Sequence, residues 1–214
     1  MLEETKSTPG KDDAWCWRLG RNGLFTTKTL ANLIDDKVLN TGTNYVETLR
    51  NNLVSRKVKV FIWRARKRRI PVLEELDKRG IDLHSVRCPM CDEDIETAEH
   101  SLIFCKLSLD VWSRVYAWWR FGNFNNLGLG ETFLGKAPHA LSGIGEEIWQ
   151  AIEWTCGYLI WKNRNKKVFE NSCWNPPVAL SEIQVTSFEW IVKRCKSITI
   201  DWQNWLVNPK SFVT

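Results

Sequence analysis

Apolar positions in this chain recur mainly at helical spacing. Val58, Phe61, Ile62 and Ala65 fall at i, i+3, i+4 and i+7, which predicts a helix with one apolar stripe and most of its intervening cations on the other faces. Pro71 suits the first turn of a short second helix carrying Val72, Leu73 and Leu76. Lys78-Arg79-Gly80 closes it, with basic residues near the C-terminal dipole and then a glycine stop. Leu107, Val111, Trp112, Val115 and Trp118 or Trp119 mark a third helix that ends near Phe121-Gly122. Further on, Ile148, Ile152, Cys156, Leu159, Ile160 and Asn163 define one long helix. Pro176-Pro177 opens another, with Leu180, Ile183, Gln184, Ser187, Phe188, Ile191 and Cys195. These last two predict a helical hairpin followed by a Trp-rich tail from Trp202 to Trp205.

Only the N-terminal part departs from this period. Trp15-Cys16-Trp17-Arg18-Leu19 and Leu24-Phe25-Thr26 flank Gly20-Arg21-Asn22-Gly23, and an Asn-Gly turn between alternating aromatic runs signals a β-hairpin. A Thr cap at Thr26 or Thr27 then opens a helix with Leu30, Leu33, Ile34 and Val38, which Asn40-Thr41-Gly42 stops. Residues 1–13 are polar, without periodicity, and are expected to be a disordered tail. The stretch 121–145 holds six of the twelve Gly and is expected to be a linker. The expected fold is therefore mainly α with a small N-terminal β-hairpin. Residues 14–120 would form a metal-stabilised helical domain, and residues 146–214 a helical C-terminal region containing the hairpin.

Composition narrows the class. With 43% apolar and 26% charged residues, the chain can bury a real core and is neither collagen-like nor low-complexity. No run approaches the ~20 apolar residues needed to span a bilayer, and the first residues carry acids instead of an apolar segment. Seven Cys, unevenly spaced, fit reduced thiols better than a disulfide framework. The expected compartment is the nucleus or cytoplasm, without secretion and without membrane partners.

Charge is concentrated in one place. Arg56, Lys57, Lys59, Arg64, Arg66, Lys67, Arg68 and Arg69 supply eight cations without one acid between them, more than the whole net charge of +5. Charge runs ordinarily form a solvated face, and long cationic stems also cover apolar surface. The complete absence of acids favours a surface that meets a polyanion, RNA or DNA, through largely sequence-independent phosphate contacts. Trp63, Trp118 or Trp119 could stack on unpaired bases if exposed, although Trp at helical spacing is usually core.

Cys88-Pro89-Met90-Cys91, His100 and Cys105 form a Cys-x2-Cys-x8-His-x4-Cys array. A tetrahedral zinc ion needs four soft or borderline donors at one point, and a Cys-x2-Cys knuckle brings two thiolates to it while the chain turns. His84 is a competing candidate, assigned instead to the surface or to a supporting position. Four protein ligands leave no position for water or substrate, the pattern of a structural ion coupled to folding. No Gly-rich phosphate loop, nucleophile elbow or His-Glu-x-x-His helix is present. Asp12-Asp13 and Asp35-Asp36 are paired carboxylates without a third acid for two-metal chemistry. A reactive thiol at Cys156 or Cys173 would lack a base, so no catalytic residue and no small-molecule substrate is expected.

Taken in order, Trp15-x-Trp17, Asn22-Gly23-x-Phe25, Lys57-Val58-Lys59-Val60-Phe61-Ile62-Trp63-Arg64, Ile70-Pro71, Arg79-Gly80-Ile81, Cys88-x-x-Cys91, Glu96-x-x-x-His100-x-x-x-x-Cys105 and Val111-Trp112 form a recognisable series. Over about residues 13–120 it resembles the zinc-binding domain that follows the polymerase in plant non-LTR retrotransposon reverse transcriptases. The segment Ile160-Trp161-Lys162-Asn163-Arg164-Asn165 to Phe169 resembles the stretch that follows that domain in such polyproteins. The resemblance implies a piece of an RNA-directed DNA polymerase polyprotein, with Cys88, Cys91, His100 and Cys105 as zinc ligands. It also implies nucleic acid, and the remainder of a retroelement polyprotein, as partners. No Tyr-x-Asp-Asp polymerase signature and no endonuclease or ribonuclease H acidic set is present, so the expected role is non-catalytic. The alternative is a zinc-stabilised scaffold that binds protein through its Trp-rich helices.

Overall fold

The computed structural model describes residues 51–122 and 141–212, together with Trp17, Phe25, Thr26, Thr27, Leu30, Phe124, Thr132 and Phe133. Its principal helices are α1 (Arg56–Arg66), α2 (Leu73–Asp77), α3 (Lys106–Trp118), α4 (Ile144–Glu170), α5 (Pro176–Arg194) and α6 (Trp202–Val207). A π-helical turn at His100–Phe104 leads into α3, and a 3-10 turn at Pro209–Phe212 follows α6.

α1 buries Val58, Phe61, Ile62 and Ala65, the stripe its 3.6-residue period requires. It ends where Arg68 adopts a left-handed φ of 53° and the Arg69 N–H donates to the Arg64 carbonyl at 2.8 Å. The turn after α2 uses Gly80 at φ +78°, a conformation glycine adopts without steric cost. α5 opens as its sequence specifies, with Asn175 accepting from the Val178 N–H and Pro at its first positions.

α4 is the centre of the packing. Its 27 residues are buried on nearly every side from Ile148 to Gly157, because α1, α3, α5 and the π turn all lie against it. The α4–α5 hairpin turns through Asn171, left-handed at φ 49°. The Trp-rich tail folds back beneath α3, where Trp205 is wholly buried. There the Trp118 indole donates to the Trp205 carbonyl and the Trp205 indole to the Gln184 carbonyl, each at 3.0 Å. Residues 48–214 form one compact unit. Within the glycine-rich stretch, Thr132 and Phe133 are buried, and the Phe133 ring sits against Trp112 at 6.1 Å between centroids.

The expected N-terminal hairpin falls outside the described residues apart from Trp17, Phe25 and Thr26, and none of these three is in a strand. Trp17 and Phe25 do meet edge to face, 4.9 Å apart. No strand occurs among the described residues, and a single antiparallel bridge, Arg87 with Ile95, is the β pairing recorded among them. The described residues are mainly helical. Thr27 and Leu30 are helical, and the Leu30 N–H donates to the Thr26 carbonyl at 3.1 Å, as the Thr cap anticipates. Leu33, Ile34, Val38 and residues 1–13 lie outside the described residues. No described helix is long and apolar enough to cross a membrane.

Candidate metal centre

Two short backbone devices bring the Cys/His array together. The first is a tight loop in which the Cys88 N–H donates to the Asp94 carbonyl at 2.7 Å and the Asp92 N–H to the Cys88 carbonyl at 2.8 Å. Asp92 takes a left-handed φ of 57° to complete the turn, and the Arg87–Ile95 bridge clamps its base. The second is the π turn. The Cys105 N–H reaches back five residues to the His100 carbonyl at 2.7 Å, so residues separated by four others come to lie side by side. An ordinary α-turn would rotate them apart, and such π insertions occur frequently at functional sites. Carbonyls on the turn are taken up by neighbours: Ser101 accepts from the Ser108 hydroxyl at 2.7 Å, and Leu102 from the Trp112 indole at 2.8 Å.

The outcome is one donor atom each from Cys88, Cys91, His100 and Cys105, all within 4.8 Å of one another. Cys88 Sγ lies 4.0 Å from Cys105 Sγ, and Cys91 Sγ lies 3.3 Å from His100 Nε2. Tetrahedral zinc at ordinary bond lengths would set such S···S and S···N separations at about 3.8 and 3.6 Å, so the donors fit that ion in kind and in spacing. Cys88 and Cys105 are fully buried. Hydrogen bonding to Cys105, then burial, drive the Cys88 thiol well above its ordinary pKa, whereas the same contact lowers that of Cys105. A pair that resists full ionisation alone is a setting in which a divalent cation supplies the missing positive charge. His100 turns its other nitrogen, Nδ1, towards Asp94, 3.6 Å from Oδ2, the side on which supporting carboxylates orient a ligating imidazole. His84 is exposed and stands outside the cluster.

Several supporting residues escape a reading of spacing. Glu96 is wholly buried and receives Arg164 of α4 through two bonds, Nε to Oε1 at 2.6 Å and Nη2 to Oε2 at 2.5 Å. The same carboxylate accepts the Leu73 N–H at the start of α2 at 2.9 Å. Arg164 also lies over the Trp161 ring, 4.9 Å from its centroid. Trp174, in the α4–α5 connection, packs on the small cluster of Cys88, Met90 and Cys105. The C-terminal hairpin therefore grips the metal loop twice, once by charge and once by an aromatic cover that limits solvent access. Glu96 and Arg164 lie 68 residues apart, and nothing in their local sequence announces the pairing.

α1 and the turn that follows it present the basic series. Arg56, Lys57, Arg64, Lys67, Arg68 and Arg69 are exposed, and Lys59 and Arg66 half-buried. Among the described residues, Arg68 is the one member of the eight with an ion-pair partner, Glu99 at 3.1 Å. Lys59 donates to Asn52 at 3.1 Å. Trp63 is exposed within this face. Trp118 and Trp119, the other stacking candidates, are core residues, as are Trp112, Trp149, Trp154 and Trp205. The Trp-rich contact surface anticipated for a protein scaffold is thus largely interior, because α3, α4 and the tail face one another.

Residues 25–112 match a family model described as zinc-binding in reverse transcriptase. This segment is similar to that domain. The match includes α1, the knuckle and the π turn, and therefore all four candidate ligands. No curated protein and no solved structure matches the chain.

Proposed function

We propose that this chain is a non-catalytic nucleic-acid-binding module, organised by one zinc ion and derived from the reverse transcriptase polyprotein of a plant non-LTR retrotransposon. Zinc, held by Cys88, Cys91, His100 and Cys105, fixes the loop and the π turn on which α3 is built. With four protein donors its coordination is filled, so it organises structure and activates no water. RNA or DNA is the partner of the α1 face, and the remainder of a retroelement polyprotein is a second partner.

The observation that carries the nucleic-acid reading is the electrostatics of α1. Its first turn contains Arg56 and Lys57 and no acid, where the helix dipole favours negative charge. A helix that places cations at its positive end, in a series of eight cations of which one is ion-paired among the described residues, offsets that cost when phosphates lie across it. Titrating salt into a complex with single-stranded RNA tests it. If about four phosphates are neutralised, log K should fall against log salt with a slope of about −3. Charge reversal of Arg66, Lys67, Arg68 and Arg69 should abolish the complex. Absence of binding at low salt would remove the nucleic-acid reading.

One observation favours the alternative scaffold. Val178, Val185 and Val192 on α5 are each about half exposed and recur every seven residues along one line of the helix, an arrangement suited to a partner helix. Association that persists in high salt and survives the α1 charge reversals would identify that role.

A further inference from the structure

A groove of about 380 Å³ lies between α1 and the C-terminal half of α4, its walls formed chiefly by Phe61, Tyr158, Trp161, Lys162, Lys166 and Phe169. Its floor is aromatic. Phe61 stacks on Trp161 with centroids 6.2 Å apart and planes 27° from parallel, and Tyr158 meets Phe61 edge-on at 5.7 Å. At the rim, Phe169 is 78% exposed, a large ring held in water beside an aromatic floor. Cations surround it: Lys57 lies 5.5 Å from the Tyr158 centroid, and Lys162 and Lys166 line the α4 side with Glu170 as the lining acid. Lys57 also belongs to the basic series of α1, so the groove opens onto that face.

We propose that this groove takes an unpaired base of a single nucleic-acid strand, stacked on the exposed Phe169 ring against the aromatic floor, with the adjoining phosphates on Lys57, Lys162 and Lys166. The inference rests on the nucleic-acid reading above and adds the strandedness of the ligand and the place where the base sits. Aromatic faces accept any base, and cations beside them track the backbone. A duplex keeps its bases paired and cannot insert one without unstacking it. An acidic peptide would use the lysines and leave the rings in water.

The zinc-loaded full chain should be titrated with a labelled oligouridine and with the same strand lacking its bases. Oligouridine is expected to bind about fivefold to a hundredfold more tightly. Phe169→Ala, at an exposed position that leaves the fold intact, should remove most of that preference while leaving affinity for the abasic strand unchanged. Lys162→Glu combined with Lys166→Glu should weaken both strands. Equal affinity for the two strands, an unchanged preference in Phe169→Ala, or a preference for duplex overturns the groove assignment. If the two strands bind equally and charge reversal on α1 abolishes both, the groove falls and the α1 reading stands. If neither strand binds at low salt, both fall. An acidic peptide whose binding shows the same dependence on Phe169 counts against a base as the occupant.

Discussion

Replacing Glu96 by Gln keeps the shape of the side chain and removes its charge, which isolates the link between the metal loop and α4. The side chains of Glu96 and Arg164 are 0% and 4% exposed, so solvent screening relieves little of the consequence. The amide retains one acceptor oxygen for Leu73 or Arg164, but the guanidinium loses one of its two charge-assisted bonds and stays buried without a counter-charge. Breaking one partner of a buried pair costs about 3–5 kcal/mol. For a domain of this size that lowers Tm by roughly 6–20 °C. Arg164→Met should cost a similar amount, because it strands the carboxylate instead. The double variant buries neither charge, and replacing a whole pair by neutral groups is often close to neutral. Urea unfolding of all four proteins should therefore show the double variant several kcal/mol more stable than the sum of the singles implies. Zinc content should remain one ion per chain in each, since no ligand is altered. Additivity within about 0.5 kcal/mol, the behaviour of independent sites, would refute the pairing.

Other perturbations probe separate parts of the structure. Cys105→Ser, or a strong chelator on the unaltered chain, should collapse the π turn and lower Tm sharply, because a structural ion's binding energy is folding energy; unchanged melting curves in both would contradict a structural ion. Glu153 is fully buried, and burial raises its pKa well above the ordinary carboxyl value. The folded chain therefore retains a proton that the unfolded chain releases above about pH 4.3, and stability falls as pH rises from there towards the folded pKa. Glu153→Gln should gain stability relative to the parent as pH rises above about 4.3; a pH-independent difference in Tm would show that the carboxyl is not held neutral. A Cβ on Gly157 would lie 2.5 Å from the Phe133 ring tip, so Gly157→Ala should cost about 1–3 kcal/mol by overpacking despite its better helix propensity. Adding Phe133→Leu should return part of that loss, and a stabilising Gly157→Ala would show that Phe133 does not seat there.

Local pattern was enough for the parts of the fold that local physics decides. Val58, Phe61, Ile62 and Ala65 are buried where the 3.6-residue period places them, and Asn175-Pro176-Pro177 begins α5 where its capping chemistry requires. The clustering of Cys88, Cys91, His100 and Cys105 was legible for the same reason, since Cys-x2-Cys and His-x4-Cys are each closed by a single local turn. α4 was only half legible. Its polar Gln150, Glu153, Thr155 and Arg164 are buried together with the apolar stripe, because neighbours lie against several of its sides. Phe133 sits in a glycine-rich stretch that reads as a connector, but its ring fills the space left by the absent Gly157 side chain. The Glu96–Arg164 pair and the Trp174 cover depend on contacts made far along the chain, and no periodicity encodes them. Trp118 and Trp119 are core, as Trp at helical spacing usually is, and the tail closes over them through Trp205.

X-ray absorption at the zinc edge on protein purified without added metal bears most directly on the metal centre. One zinc ion per chain, with three sulfur scatterers at about 2.3 Å and one nitrogen at about 2.0–2.1 Å, is the expected result, with the nitrogen lost in His100→Ala. A metal-free chain that melts at the same temperature with and without zinc, or a shell made mainly of oxygen, would contradict it.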